Sequence, residues 1–177
     1  ISGGGSTLLC LPDSPSTKSD LVLGESELFK KLTEKGAPIQ DLNIVRKHIS
    51  RARGGGLAAA SYPAEVVSLI FSDVPGNDLH TISSGPTILD SSTISDALAV
   101  LVKYEITADA NVKFIETPKE PKLFERVTNV LFLSNLDALA AMRAESARRG
   151  YATEIVDDHF SGEARVVGRA IAEKLHT

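Results

Sequence analysis

Apolar residues Leu42, Val45, Ile49 and Ala52 recur at helical intervals, so the spacing predicts one buried stripe on a helix opened by Asp41 and ended by Gly54, Gly55 and Gly56. Asn43, Arg46, Lys47 and Ser50 fall on a second stripe of the same helix. Upstream, Leu21, Leu28, Phe29 and Leu32 have looser helical spacing, and Gly36 with Pro38 supplies a stop, which predicts a helix over residues 25–35. Residues 1–19, rich in Gly, Ser, Pro and Thr, read as a glycine turn and an extended loop anchored by Leu8, Leu9 and Leu11. The unbroken apolar run over 65–71 predicts a strand buried on both faces. A helix follows over 93–104, with Ile94, Leu98, Leu101 and Val102 inward. Residues 107–122 carry a weaker pattern that Pro118 and Pro121 interrupt.

Further strands are expected over 129–133 and 151–156. Helices are expected over 135–149, started by Ser134 and stopped by Gly150, and over 163–175, capped by Ser161. Strand alternating with helix argues for an α/β fold, a Rossmann-like parallel sheet layered between helices.

Composition narrows the function classes. Lys and Arg total 19 against 23 Asp and Glu, a formal charge of −4, so no basic excess serves a nucleic-acid backbone. No apolar run reaches the roughly 18 residues of a membrane span. Cys10 is the lone cysteine, which excludes an internal disulfide and fits a reducing compartment, so cytoplasm is the expectation. A length of 177 residues suits one domain. An opening Ile-Ser-Gly-Gly-Gly without methionine suggests a domain cut from a longer chain.

Three stretches carry candidate chemistry. Gly3, Gly4, Gly5 and Ser6 form a turn whose bare backbone amides can accept an anion, although the spacing fits neither G-x-G-x-x-G nor a Walker A loop. Arg46, Lys47 and Arg53 offer positive charge, Arg as a two-pronged donor and Lys as a mobile point charge; a solvated helix face explains them equally well. Asp73 stands just after the 65–71 strand, at the carboxyl edge where open α/β sheets bind ligands. A carboxylate there can hold Mg²⁺ or act as general base, unless it caps a turn, and Asp78 shares its loop. His48, His80, His159 and His176 show no metal-ligand spacing.

The ordered set Ser2-Gly3-Gly4-Gly5-Ser6, Asn43-x-Val45-Arg46-Lys47-His48-x-Ser50-x-x-Arg53-Gly54-Gly55, Ser72-Asp73-Val74-Pro75-Gly76-Asn77-Asp78 and Ser83-Ser84-Gly85-Pro86-Thr87 resembles the type II glycerate kinase family. Glu116-Thr117-Pro118-Lys119 and the stretches at Asn129-Val130 and Ser134-Asn135 extend the likeness over nearly the whole chain. The resemblance implies phosphorylation of D-glycerate from ATP with Mg²⁺, by a Rossmann-like domain facing a smaller C-terminal domain, MOFRL, of the same chain. It also implies that this chain lacks both that domain and an N-terminal catalytic lysine, and is inactive alone. By resemblance, Asp73 and Lys47 are catalytic and Asp73 with Asp78 holds the metal. Gly3, Gly4, Gly5, Ser6, Arg46, Arg53, Ser84 and Gly85 bind substrate or phosphate. Family members commonly carry Lys-Gly-Gly where this chain has Arg53-Gly54-Gly55. A hydroxypyruvate reductase and a non-catalytic anion-binding module are the competing readings; no nucleic-acid or membrane partner is expected, and a homodimer stays open.

Overall fold

The computed structural model describes residues 1–13, 18–109, 112–159 and 162–175. Its element order is α1 (Gly5–Leu8), α2 (Lys18–Glu34), α3 (Ile39–Lys47), α4 (Gly56–Ser61), β1 (Val66–Phe71), α5 (Ile94–Lys103), β2 (Val127–Leu133), α6 (Asn135–Arg148) and α7 (Ala164–Leu175). Single 3₁₀ turns at Pro75–Asn77, Ile82–Ser84 and Pro121–Phe124 punctuate the loops. The chain is α/β, with a parallel sheet flanked by helices.

β1 pairs with β2 in parallel register from Val66↔Val127 to Ile70↔Leu131, then slips one residue so that Phe71 faces Leu133. On the other edge of β1, the Ile1 amine donates to the Leu69 carbonyl at 2.9 Å and the Phe71 amide donates to the Ile1 carbonyl at 2.9 Å, the slanted pattern of a parallel ladder. Ile1 thus runs alongside β1 on the edge opposite β2, which brings Ser2 and Ser72 to the same end of the sheet, two-stranded among the described residues.

Burial on both faces of β1 is met on one face only. Ser68 and Ile70 are buried, whereas Val67, Leu69 and Phe71 remain exposed, as are Val130 and Phe132 beside them. The buried face is held by polar bonds: Ser68 Oγ lies 3.2 Å from Thr87 Oγ1, which donates to Asn129 Oδ1 at 2.6 Å. The apolar core lies elsewhere, among α2, α3, α5 and residues 106–108 and 112–114, around Leu28, Leu32, Val45, Val100 and Leu101.

Several local expectations are corrected. Residues 151–156 form no strand, because no strand among the described residues pairs with their backbone, and Tyr151 is 69 % exposed. The helix expected over 25–35 begins at Lys18, inside the segment read as loop. The Leu8 and Leu11 side chains are exposed, and Leu11 ties the segment down through its backbone instead, its amide donating to Ser50 Oγ at 3.0 Å and its carbonyl accepting from the Arg51 amide at 2.7 Å. α3 starts after Pro38, and Asp41 sits in its first turn, where it accepts from Lys103 Nζ at 2.8 Å and Tyr104 OH at 2.7 Å. α3 ends at Lys47 rather than at the glycines, after which residues 48–55 run as turns. α5 turns Ala97, Val100 and Leu101 inward and leaves Leu98 and Val102 outside. α6 opens with the expected Ser134 in a reciprocal cap with Asp137, yet buries no residue. The Ser161 cap lies outside the described residues. No helix among the described residues is long and apolar enough to cross a membrane.

Candidate functional site

Gly3 and Asp73 meet at the carboxyl end of β1. A Cβ on Gly3 would overlap the Asp73 carboxylate, and one on Gly5 would overlap the Ser83 hydroxyl, so only glycine permits this approach. The N–H groups of Gly3 and Gly4 donate to no group among the described residues, and both residues are exposed. Asp73 is likewise exposed, and among those residues its carboxylate enters no hydrogen bond or ion pair. Gly3→Ala is expected to push the Asp73 side chain out of this position and cut substrate turnover with little change in thermal stability. Retention of full activity in Gly3→Ala would show that the adjacency has no role.

The glycine turn is braced from beneath. Ser83 and Ser84 hold left-handed φ values of 53° and 60°, followed by Gly85 at 58°, and all three are buried. Such backbone persists for serine only where surrounding bonds over-determine it. Ser83 Oγ donates to the Ser2 carbonyl at 2.6 Å, and Ser84 Oγ lies 3.1 Å from both Ser6 Oγ and Asn43 Oδ1. The Gly54 and Gly55 amides donate to the Ser84 and Gly85 carbonyls at 2.9 and 2.8 Å. Ser84 and Gly85 thus clamp three loops together.

Arg53 is the second brace. Its side chain is fully buried, pairs with Glu25 at 2.7 Å, and donates to the carbonyls of Ser6 and Arg46. The guanidinium fork reaches all three at once, which a lysine ammonium on its single stem has less geometry to do. Among the described residues its Nε has no hydrogen-bond partner, nor has that of Arg46, whose guanidinium stacks 4.6 Å over Phe29. Burial, then the like charge of Arg53, pushes the Arg46 pKa below its ordinary value. Glu25 also accepts from Cys10, and burial, that bond and the Glu25 charge push the thiol up to about 12.

Lys47 is buried and donates to Asp90 at 2.9 Å. Asp90, 3 % exposed, also accepts from Ser92 at 2.7 Å and Thr117 at 3.1 Å, and its backbone carbonyl accepts from Lys119. Burial raises the Asp90 carboxyl, but the Ser92 hydroxyl and the Lys47 ammonium outweigh it and hold the pKa below the ordinary range. His48, fully buried, hydrogen-bonds the Ile115 carbonyl through Nδ1 and the Ser92 hydroxyl through Nε2. Sequence reasoning missed Asp90, Ser92 and Lys119; the resemblance of the Glu116–Lys119 stretch was the available signal.

Asp78 takes a turn position. Its oxygens accept from the His80 amide at 3.0 Å and Thr81 Oγ1 at 2.6 Å. Burial raises its pKa, while these two bonds and the charges of His80 and Lys47 bring it below the ordinary value. Among the described residues, Asp157, Asp158 and His159 also cluster, with the His159 ring 3.9 Å from where a Gly76 Cβ would stand.

Open amides accept an anion, and an unpaired carboxylate beside them repels one unless a cation lies between. Magnesium suits this donor set, since it is commonly held by one or two carboxylates together with substrate phosphates. The arrangement defines an α/β protein with a turn of open backbone amides and an acid that is unpaired among the described residues, both at the carboxyl end of a parallel strand.

The chain belongs to the family described as domain of unknown function DUF4147, whose model matches residues 1–116. It is similar to an Agrobacterium vitis protein named as a hydroxypyruvate reductase, with 39 % identity over 177 residues, covering 97 % of this chain and 39 % of that protein. It is 38 % identical over 173 residues to a D-glycerate 2-kinase from Thermotoga maritima, covering 97 % of this chain and 40 % of that protein. The crystal structure of glycerate kinase from Thermotoga maritima superposes with a TM-score of 0.76 at 38 % identity, over 98 % of this chain and 41 % of that chain. The chain thus spans about two-fifths of the length of these relatives.

Proposed function

We propose that the protein carrying this chain phosphorylates D-glycerate from ATP with Mg²⁺, and that the chain supplies the substrate- and phosphate-binding core. The observation that carries this reading is the exposed Asp73 carboxylate, unpaired among the described residues, packed against Gly3 in a turn whose Gly3 and Gly4 amides are open. The glycerate kinase names of its relatives support the choice of substrate.

In this reading Gly3, Gly4, Gly5 and Ser6 cradle an anionic group of the substrate. Asp73 holds Mg²⁺ or takes the proton of the substrate hydroxyl, with Asp78 as a second acidic group in the same loop. Lys47 supplies positive charge toward that loop; Arg46 and Arg53, with Ser84 and Gly85, support the cradle. Bound Mg²⁺ supplies charge neutralisation of the phosphates, the main requirement of phosphoryl transfer. The chain acts as one Rossmann-like domain of a longer two-domain protein of the cytoplasm, working against a C-terminal domain of the same chain, and alone it is inactive.

The test is ADP release by the intact protein with D-glycerate, ATP and Mg²⁺, run beside NADH oxidation with hydroxypyruvate. Glycerate-dependent ADP release is the expected result. NADH oxidation without ADP release overturns it in favour of the reductase. Glycerate binding in a calorimeter with neither turnover leaves an anion-binding module.

A further inference from the structure

α2 contributes Glu25, a carboxylate with no part in the chemistry above, whose side chain is only 14 % exposed. Its Oε1 accepts from Arg53 Nη1 at 2.7 Å, and its Oε2 accepts from Cys10 Sγ. The thiol is the donor in that second bond, since a pKa of about 12 keeps the proton on sulfur.

Both bonds act on the segment that leaves the glycine turn. Arg53 passes the first one on, because its Nη2 donates to the Ser6 carbonyl, and Cys10 lies four residues further along the chain. Between them α1 is a single turn with no buried residue, too short to hold its own geometry. The entry to the turn is fixed separately, by Ile1 alongside β1 and by Ser83 Oγ on the Ser2 carbonyl. At the exit, Ser6 Oγ meets Ser84 Oγ, and the Ser6 carbonyl depends on Arg53. Arg53 needs a counter-charge to stay there: it is fully buried, and among the described residues Glu25 is the one carboxylate that pairs with it. A buried guanidinium stripped of that partner is strongly unfavourable, so its fork rests on Ser6 only while Glu25 is in place.

We propose that Glu25 is a positioning residue for substrate binding: through Arg53 and Cys10 it fixes the exit of the glycine turn, and so aims the Gly3 and Gly4 amides at the anionic group of glycerate. The assignment rests on the kinase reading above and adds α2 to the elements that shape its substrate site.

KM values for D-glycerate and ATP, kcat, glycerate binding by calorimetry and peptide-resolved hydrogen exchange are measured on the intact protein and on Glu25→Gln, Cys10→Ala and Cys10→Ser. Glu25→Gln is expected to raise the glycerate KM roughly tenfold, the order of one charge-assisted contact, with kcat within about threefold and the ATP KM within about twofold. Amides over residues 5–11 should exchange about tenfold faster, while those of α5 keep their rate. Cys10→Ala frees one of the two anchors and is expected to act in the same direction by about threefold; Cys10→Ser keeps a donor and restores wild-type behaviour. Should Glu25→Gln fail to fold by circular dichroism, the two Cys10 variants carry the comparison. An unchanged glycerate KM in the folded variants overturns the proposal, as does exchange that quickens over 5–11 and α5 alike, the mark of a salt bridge that only stabilises the fold. A wild-type protein that binds no glycerate also overturns it. A protein that binds glycerate without phosphorylating it, and loses that affinity in the variants, keeps the role of Glu25 and discards the kinase reading.

Discussion

Asp73→Asn is expected to lower kcat for glycerate phosphorylation by roughly 10²–10³-fold, the usual loss when one preorganised charge-stabilising group is removed. The substitution keeps the shape and the fit against Gly3 but removes the negative charge that would meet a magnesium ion or a hydroxyl proton. Because the carboxylate is exposed and, among the described residues, unpaired, its loss takes no structural bond with it. The melting temperature should stay within about 2 °C of wild type, as for a surface substitution. Stopped-flow or coupled measurement of ADP release, together with a thermal melt, checks both halves. A variant with unimpaired kcat removes Asp73 from the reaction, and a collapsed melting temperature assigns it a structural role.

The largest effect on stability is expected at Asp90. Asp90→Asn leaves the Lys47 ammonium buried without a counter-charge, and breaking a buried pair in this way costs about 3–5 kcal/mol. For a chain of this size that lowers the melting temperature on the order of 10 °C. The double variant Asp90→Asn with Lys47→Met removes the stranded charge and should recover much of the loss, a coupling that a double-mutant cycle in urea measures. Additive single effects would show that the pair is not coupled.

Wild-type pH dependence follows from the same site. The folded-state pKa of Asp90 is depressed, so the unfolded chain takes up its proton first as pH falls. The carboxylate's contribution is complete above the ordinary aspartate pKa, declines below it, and is gone once pH has passed the lower folded value. Asp90→Asn should therefore flatten the acid limb of stability against pH, which urea midpoints across that range would record.

The positions of Asp90 and Asp73 also mark what could be read from the chain and what could not. The stripe Leu42, Val45, Ile49 and Ala52 reads as buried from spacing alone, and three of the four are nearly inaccessible. The polar stripe beside it reads equally well as a solvated face; only the fold shows Asn43, Lys47 and Ser50 buried, because their partners come from distant segments. Lys47 and Asp90 are 43 residues apart, and no local pattern marks one aspartate among many as its partner. Residues 151–156 fail as a strand for a related reason: a β pattern states a preference, and a strand exists only where another backbone takes up its hydrogen bonds.

By itself, then, the amino-acid order determined the α/β alternation, the Ser134 helix start, the glycine turn and the acidic loop after β1, since each depends on neighbours within a few residues. Only the tertiary structure decided that β1 is open on one face, that Arg53 braces the turn from a buried position, and that the Asp73 carboxylate fills the space a Gly3 side chain would need. Those outcomes depend on contacts between segments far apart in the chain, and periodicity and local composition carry no information about which distant groups will share a buried charge or a shared volume.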